Sequence, residues 1–499
     1  MSVLLSYLKE KGAQVKPEMV AHLASLETLA KVDRGIAKSI VAELADQRSH
    51  LKMIASENYS SMATQLTMGN WLTDKYAEGY PYHRFYAGCD NVDAIEAQAC
   101  QYAKDLFGAD HAYVQAHSGA DANLLAYWVI LSKKIQEPML EKLGITDPSK
   151  LSDQQWADLR AQLGNQKLIG LNYYSGGHLT HGYRHNLSAR MFDCISYDVD
   201  PKTELLDYDE LRKLVLREKP LIFLTGYSAY PRKINFRILR EIANEAGSVF
   251  MVDMAHFAGL VAGKVFTGDF DPVAHADMVT STTHKTLRGP RGGLVLCRQE
   301  YAEWVDKGCP LVLGGPLPHV MAAKAIAFKE ANTPEFRQYA QRIVDNSKAL
   351  AQGLMDAGIR LTSNGTDNHL MVLDIRSFGL SGRQAESALR EASITLNRNS
   401  IPFDPNGAWY TSGLRLGTAA LTTLGMNADD MREIAKIVYL VLSHTKATVV
   451  EKGAQAGELS KAKYSVAPEA LAEARQRVSK LLSRYVLYPE LDLEWLQKI

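Results

Sequence analysis

The strongest constraint on the fold of this chain is a strand–helix–strand pattern that recurs between residues 113 and 298. Its clearest unit reads LIFLTG, then NFRILREIANEAGS, then VFMVDMA, so that two apolar runs flank an amphipathic segment. Asn235 is placed to cap the start of the helix, and Gly247 is placed to end it. Two more strands are predicted at 277–283 and 293–297. This alternation predicts an α/β fold with a mainly parallel sheet.

The length of the chain, 499 residues, predicts more than one domain, because a single hydrophobic core rarely organises so many residues. Apolar residues at helical spacing predict an N-terminal helical arm over 1–52. A large α/β domain is expected over 53–332, with a polar helical insertion at about 132–167 in which Ser152–Gln155 has capping-box spacing. A smaller α+β domain is expected over 333–499. It begins with a long helix near Thr333 and contains an amphipathic helix at 468–485.

Composition excludes several classes of protein. Lys and Arg together number 56, as do Asp and Glu, which argues against a general nucleic-acid or membrane partner. The five cysteines form no C-x-x-C pair, which argues against a disulfide framework and a zinc site. The apolar run at the N-terminus is too short for a signal peptide, and no stretch approaches the roughly 20 apolar residues of a membrane span. The predicted location is therefore the cytoplasm.

Chemically useful side chains follow two of the predicted strands. Asp253 ends one strand, His256 comes three residues later, and Lys285 follows the next strand. Ligands bind at the carboxyl ends of strands in open α/β sheets, so these side chains are expected to share one crevice. A lysine there can form a Schiff base with pyridoxal phosphate, whose ring nitrogen needs an acidic partner such as Asp253. His256 and Ser228 are candidate partners of the ring's phenolate oxygen. Taken singly, the lysine would be a solvated charge and the aspartate a cap.

Other motifs were weighed as ligand sites. HSGADAN at 117–123 precedes a helical run, which places Ser118 and Gly119 at a helix N-terminus suited to a phosphate. No G-x-G-x-x-G occurs, and residues 259–264 are one residue short of a P-loop. His178 and His181 lie three apart, but no third ligand with metal-site spacing is evident in the sequence. No metal is therefore predicted.

Taken together, these and other motifs resemble the serine hydroxymethyltransferase family. They are IASENY at 54–59, DKYAEGYP at 74–81, HSGADAN, GGHLTHG at 176–182, the 253–293 stretch with its STTHKT, GTDNHL at 365–370 and TSGLRLGT at 411–418. The resemblance implies fold type I, which is aspartate-aminotransferase-like, with pyridoxal phosphate as cofactor and tetrahydrofolate as cosubstrate. It also implies reversible conversion of L-serine to glycine by a homodimer, which could pair further into a tetramer, with active sites built from two subunits.

The resemblance further implies roles for individual residues. Lys285 would hold the cofactor as a Schiff base, Asp253 would pair with its ring nitrogen, and His178 would stack on the ring. Other implied cofactor contacts are Ser118, Gly119, Ser228, His256, Thr282, His284, Tyr76 and, from the neighbouring subunit, Gly315. Arg415 and Ser56 would bind the substrate carboxylate. Tyr76, Glu78 and Tyr86 would enter the other subunit's site, and Glu78 would transfer a proton. Implied folate contacts are Glu78, Tyr86, Tyr173, Gly177, His178, Leu179, Asn399, Gly407, Ala408 and Trp409.

Some positions depart from the common bacterial pattern and leave alternatives open. Tyr173 replaces a leucine near the pterin, and 407–409 form an altered loop, so these departures lie at the folate edge and spare Lys285, Asp253 and Arg415. One alternative is a folate-independent aldolase or racemase that uses pyridoxal phosphate on small amino acids. Another is a non-catalytic protein that keeps the fold. Glu78 favours the parent reaction over the first, and the presence of Lys285 and Arg415 speaks against the second.

Overall fold

A seven-stranded sheet forms the centre of the computed structural model, which describes residues 2–450 and 457–499. In chain order its strands are β1 (His111–Tyr113), β2 (Lys167–Leu171), β3 (Asp193–Tyr197), β4 (Ile222–Gly226), β5 (Val249–Asp253), β6 (Met278–Thr282) and β7 (Gly293–Cys297). Their spatial order is β1-β7-β6-β5-β4-β2-β3. β7 pairs antiparallel with both of its neighbours, β1 and β6, whereas β6, β5, β4, β2 and β3 pair with one another in parallel. The predicted α/β class and mostly parallel sheet are confirmed.

Helices cover both faces of this sheet. Alternate side chains of a strand point to opposite faces, and both sets are apolar here: Phe223 and Phe250 pack in one core, Leu224 and Met251 in another. The helices are Asp90–Phe107, Gly119–Leu131, Glu137–Leu143, Asp153–Gly164, Ser188–Met191, Tyr208–Glu218, Phe236–Ala246, Ala258–Ala262, Pro272–His275, Ala302–Asp306, Gly308–Leu311 and Pro318–Ala331.

The caps predicted for the central helix and the insertion are present. The Asn235 side chain accepts a hydrogen bond from the backbone N–H of Ile238, and Gly247 ends the helix with a φ of 70°. In the 132–167 segment, Ser152 and Gln155 form the predicted capping box. That segment is helical up to Gly164, and β2 begins at Lys167. Local side-chain chemistry therefore sets these boundaries.

A second, antiparallel sheet follows the helix Pro334–Asp356, which Thr333 caps. Its strands are β8 (Arg360–Leu361), β9 (Leu370–Asp374), β10 (Asn397–Asn399) and β11 (Gly413–Gly417), in the order β8-β9-β11-β10. Helices Gly382–Glu391, Gly407–Tyr410, Ala419–Thr423, Ala428–Ser443, Pro468–Leu482 and Leu493–Leu496 accompany it. A hairpin of Thr445–Val449 and Leu459–Val466 also occurs, and the sequence analysis did not predict it.

The N-terminal helices Val3–Lys11, Pro17–Val32 and Arg34–Ser49 pack with the end of the chain, where Met19, Leu23 and Trp495 share a cluster. The N-terminal arm is not structurally separate from the rest of the chain, because strand Leu51–Lys52 pairs in parallel with strand Ile394–Thr395. Leu51 is buried in the core of the second sheet. The domain boundaries themselves stay a prediction. Within the described ranges, no helix is both long enough and apolar enough to cross a bilayer.

Candidate active site

A cavity of ≈ 500 Å³ opens at the carboxyl ends of β4, β5 and β6 and is bordered on its far side by β10 and β11. It collects side chains that are more than 350 residues apart in the chain. The predicted site residues that line it are Ser56, Ser118, Gly119, Tyr173, Gly177, His178, Leu179, Ser228, Asp253, His256, Thr282, His284, Lys285, Asn399, Ala408 and Arg415.

Strand ends bring the three key groups of the large sheet together. Asp253 is the last residue of β5, and Lys285 lies three residues beyond the end of β6. His256 follows β5 in the loop before the next helix. All three face the same cavity, as the order of strands predicted.

Asp253 is a buried carboxylate that accepts three hydrogen bonds within the chain. It accepts hydrogen bonds from Asn123 Nδ2 (2.8 Å), His181 Nε2 (3.1 Å) and the backbone N–H of Ala255 (3.0 Å). Burial acts to raise the pKa of this carboxyl, but the hydrogen bonds from His181 and Asn123 and the electrostatic interactions with His181 and His178 together outweigh it, so the pKa lies below its usual value. Asp253 is therefore ionised at neutral pH and able only to accept.

Sequence reasoning missed Asn123 and His181 as partners of Asp253. Both belong to motifs that were recognised, HSGADAN and GGHLTHG, so a signal was present. Spacing along the chain could not show which of their polar side chains turns toward the carboxylate, since His181 and Asp253 are 72 positions apart.

Lys285 carries an amine that is poised to react. Burial lowers its pKa from 10.5 to about 8, although the charge of Asp253 acts in the opposite direction. No residue in the described ranges forms a hydrogen bond or ion pair with its Nζ. Its backbone, by contrast, is held, because Asn58 Nδ2 donates to its carbonyl oxygen at 2.9 Å. The neutral amine, which is the nucleophilic form, is thus accessible near neutral pH.

The histidines of the cavity are neutral. Burial lowers the pKa of His178 to about 4 and that of His284 to about 3, and it lowers the pKa of His256 well below the usual value. His178 Nδ1 lies 2.7 Å from Thr180 Oγ1, and His256 Nδ1 lies 3.3 Å from Nε2 of His369. Within the described residues, buried Nδ1 of His284 has no partner. An uncharged, oriented imidazole such as His178 can lie against an aromatic ring.

The predicted phosphate cradle is the start of the helix Gly119–Leu131, somewhat earlier than the helical run from Leu124 suggested. Ser118 caps this helix by accepting a hydrogen bond from the backbone N–H of Asp121 at 3.2 Å. A Cβ on Gly119 would lie 2.7 Å from Thr282 Cγ2, so only glycine allows the helix start to pack against the end of β6. The unpaired amides of such a first turn favour an anion.

Arg415 extends from β11 across the cavity. Its Nη1 donates to the carbonyl oxygen of Ser228 at 2.7 Å, and its Nε donates to Asn397 Oδ1 at 3.1 Å. Burial lowers its pKa to about 10, so it is still a cation at neutral pH. A guanidinium that is held in this way presents a rigid fork to a carboxylate. Ser56 lines the same cavity.

Four predicted site residues lie together outside the cavity of their own chain. The hydroxyls of Tyr76 and Tyr86 donate to the two oxygens of the Glu78 carboxylate, each at 2.9 Å. Gly315 lies against the Tyr76 ring, since a Cβ there would be 3.0 Å from it. The two tyrosines are 55% and 46% exposed. These groups are available to another molecule rather than to Lys285 of the same chain.

The loop at 407–409 contains three predicted folate contacts, and one of them lines the cavity. Ala408 lines the cavity, whereas Gly407 and Trp409 do not. The Trp409 ring is 62% exposed and lies near the guanidinium groups of Arg383 and Arg398, at 5.4 and 5.3 Å.

The structure corrects one argument about metals. A third ligand for His178 and His181 was not evident from spacing, but Asp253 supplies one, with the three ligand atoms within 4.8 Å of one another. Spacing along the sequence did not reveal this third group, and the absence of a metal stays a prediction. The donors on Asp253 explain the arrangement without an ion, because Asn123 and His181 both point N–H groups at the same oxygen.

These groups fit an aldehyde cofactor with an aromatic ring and a phosphate. The cavity offers an amine of lowered pKa, an ionised carboxylate, a neutral imidazole and a helix N-terminus, within a volume typical of small-molecule sites.

Comparison with known proteins identifies the family of this chain. The family model described as serine hydroxymethyltransferase matches residues 29–143 and 146–438, so it runs through nearly all of the helical insertion. A serine hydroxymethyltransferase of Treponema pallidum is 58% identical over 99% of this chain and 86% of its own length. The proteins of that name from Salinispora tropica and Chlamydia trachomatis are 56% and 52% identical, over 95% and 99% of this chain and 99% of each relative. This chain belongs to the serine hydroxymethyltransferase family.

Proposed function

We propose that this protein converts L-serine and tetrahydrofolate reversibly into glycine and 5,10-methylenetetrahydrofolate, with pyridoxal phosphate as its cofactor. The observation that carries the proposal is that Lys285, Asp253 and Arg415 line one cavity in a chain of this family. An amine, a carboxylate and a guanidinium in one site meet the separate needs of the cofactor and of an amino-acid substrate.

The cofactor would be held by residues on every side of the cavity. Lys285 would bind its aldehyde carbon covalently, Asp253 would pair with its ring nitrogen, and His178 would stack on its ring. Ser118 and Gly119 would receive the phosphate at their helix N-terminus. Thr282, His284, His256 and Ser228 would complete the contacts. When bound, pyridoxal phosphate supplies a cationic ring that accepts the electron pair of a bond broken at the substrate's alpha carbon.

The chain's own residues would select which bond breaks. Arg415 and Ser56 would hold the substrate carboxylate, and this fixes which bond of the alpha carbon stands perpendicular to the cofactor ring. For serine that bond joins the alpha and beta carbons. Glu78 would exchange a proton with the oxygen of the hydroxymethyl group as the one-carbon unit leaves. The folate would lie toward Tyr173, Gly177, Leu179, Asn399 and the 407–409 loop.

A homodimer with shared sites explains why Glu78 lies outside its own cavity. Tyr76, Glu78, Tyr86 and Gly315 would enter the partner's site across a two-fold interface, where the partly exposed tyrosines would become covered. Mixing inactive Lys285→Ala and Glu78→Gln subunits under conditions of exchange tests this arrangement. Each mixed dimer would regain one intact site, so about a quarter of wild-type activity should return. No recovery would mean that both residues act within one chain.

The activity itself is tested by following labelled serine with and without tetrahydrofolate, in excess pyridoxal phosphate. The proposal predicts rapid glycine formation that depends on tetrahydrofolate and is lost in Lys285→Ala. Cleavage of 3-hydroxy amino acids or racemisation, with no response to folate, would favour the folate-independent alternative.

A further inference from the structure

The C-terminal tail, residues 483–499, packs against the N-terminal helices and against residues between Tyr59 and Gln65. It lies beyond residue 438, where the family model stops, yet it is included in the match to the Treponema pallidum relative, which covers 99% of the chain. Its residues Leu487, Leu491, Trp495, Leu496 and Ile499 are buried. No role in the proposed reaction accounts for this element.

The tail is fixed to the N-terminal helix Arg34–Ser49. Arg48 donates to the backbone carbonyl oxygens of Leu487, Tyr488 and Leu491 at 2.9, 2.6 and 2.8 Å. Tyr488 itself has a φ of 48°, in the left-handed region, which a non-glycine residue keeps only when its surroundings hold it. The position of the Tyr488 side chain is therefore determined by the packing of both chain ends.

Tyr488 contacts the segment that leads into the cavity. Its hydroxyl donates to the carbonyl oxygen of Ser60 at 3.0 Å and accepts a hydrogen bond from Gln65 Nε2 at 2.6 Å. Its ring meets the buried ring of Tyr59 edge-on, with 6.3 Å between the centroids. Tyr488 thus contacts this segment at its backbone, through the carbonyl oxygen of Ser60, and at a side chain, the ring of Tyr59.

The other end of the same short segment is part of the site. Ser56 and Glu57 line the cavity, and Asn58 donates both to the backbone carbonyl of Lys285 (2.9 Å) and to the hydroxyl of Tyr339 (2.8 Å). Ser60, whose carbonyl oxygen Tyr488 holds, is therefore only four positions along the chain from the proposed substrate contact, Ser56.

We propose that Tyr488 is a positioning residue that sets segment 56–60, and with it Ser56, for the amino-acid substrate. The inference rests on the proposed function of the cavity, since it assigns Ser56 to the substrate carboxylate. Without the Tyr488 hydroxyl, the carbonyl of Ser60 loses its donor and the segment gains freedom. A binding group displaced by a fraction of an ångström loses affinity for its ligand even when the fold is intact.

The test compares Tyr488→Phe with a matched control, Tyr485→Phe. The control also removes a tail hydroxyl, but that hydroxyl donates to Asp430 Oδ2 at 2.7 Å, outside segment 56–60. The measurements are kcat and KM for serine, the dissociation constant of glycine from the spectrum of the holoenzyme, cofactor content and Tm. In Tyr488→Phe we expect KM and the glycine constant to rise about three- to tenfold, with kcat within about twofold and full cofactor content. Tyr485→Phe should leave both constants unchanged.

The inference is overturned if Tyr488→Phe leaves KM and the glycine constant unchanged, whatever its effect on Tm, because the tail would then have no part in positioning Ser56. If Tyr488→Phe does not fold, Gln65→Met decides by the same criterion, since it removes one of the two hydrogen bonds of the hydroxyl. A wild-type protein that makes no glycine from serine would instead refute the proposed function, and the glycine constants would still test the role of Tyr488.

Discussion

The lowered pKa of the Lys285 amine leads to a quantitative prediction about cofactor loading. With a pKa of about 8, roughly 10% of these amines are neutral at pH 7, compared with roughly 0.03% for a lysine of pKa 10.5. The apoenzyme should therefore capture pyridoxal phosphate about 300-fold more readily at pH 7 than an ordinary lysine would. The sign follows from the neutral form being the nucleophile: the capture rate rises with pH and levels off above about 8.

The midpoint of this pH profile is the pH at which the capture rate reaches half of its plateau. Two substitutions should move this midpoint in opposite directions. Asp253→Asn removes the negative charge that raises the pKa of Lys285, so the midpoint should fall below 8. Arg415→Gln removes a positive charge that lowers this pKa, so the midpoint should rise. Stopped-flow absorbance of apoenzyme mixed with pyridoxal phosphate measures the rate at each pH. Midpoints are compared rather than amplitudes, because Asp253→Asn also removes a proposed partner of the cofactor ring.

Lys285→Ala is the control for this series and should show no covalent capture phase. The titration of free pyridoxal phosphate is common to all the proteins, so it cancels from the differences between midpoints. A wild-type midpoint near 10, or one midpoint shared by all three proteins, would refute the electrostatic reasoning.

Three further substitutions test other parts of the account. Arg415→Lys should raise KM for serine about tenfold or more and leave cofactor binding intact, because an ammonium cannot make two parallel hydrogen bonds; an unchanged KM would contradict this. Lys324→Met removes a buried amine that donates to the carbonyl oxygens of Val114, Ala116 and Gly293 below the phosphate cradle. In spectral titrations we expect this variant to bind pyridoxal phosphate about tenfold more weakly, and the loss should be smaller for pyridoxal. Equal losses of affinity for the two ligands would argue against a link between Lys324 and the phosphate cradle. Glu96→Gln should destabilise the protein by about 3 kcal/mol in urea unfolding at fixed protein concentration, because buried Arg84 loses its charged partner at 2.6 Å. A decrease of less than about 1 kcal/mol in the free energy of unfolding would show that the ion pair with Asp93 alone offsets the buried charge of Arg84.

The parts of the fold that were predictable from the sequence are those with a strong local signal. The apolar runs and caps around Asn235 and Gly247 determine a strand–helix–strand unit without help from distant residues. The convergence of Asp253 and Lys285 followed from the same signal, because parallel strands end at one edge of the sheet.

The parts that were not predictable depend on contacts between distant residues or on weak patterns. The hairpin strand Leu459–Val466 alternates exposed and half-buried positions and includes Lys461 and Lys463, so it carries little apolar signal. Strand Leu51–Lys52 has only two residues. The bond from His181 to Asp253 and the contact of Tyr488 with Ser60 join positions 72 and 428 residues apart. No local pattern encodes such pairs.

The most direct test of the central claim is to reduce the holoenzyme with borohydride and map the modified peptide by mass spectrometry. We expect one phosphopyridoxyl group per chain, on Lys285, and none in Lys285→Ala. A label on a different lysine, or no label on a protein that converts serine to glycine, would contradict it.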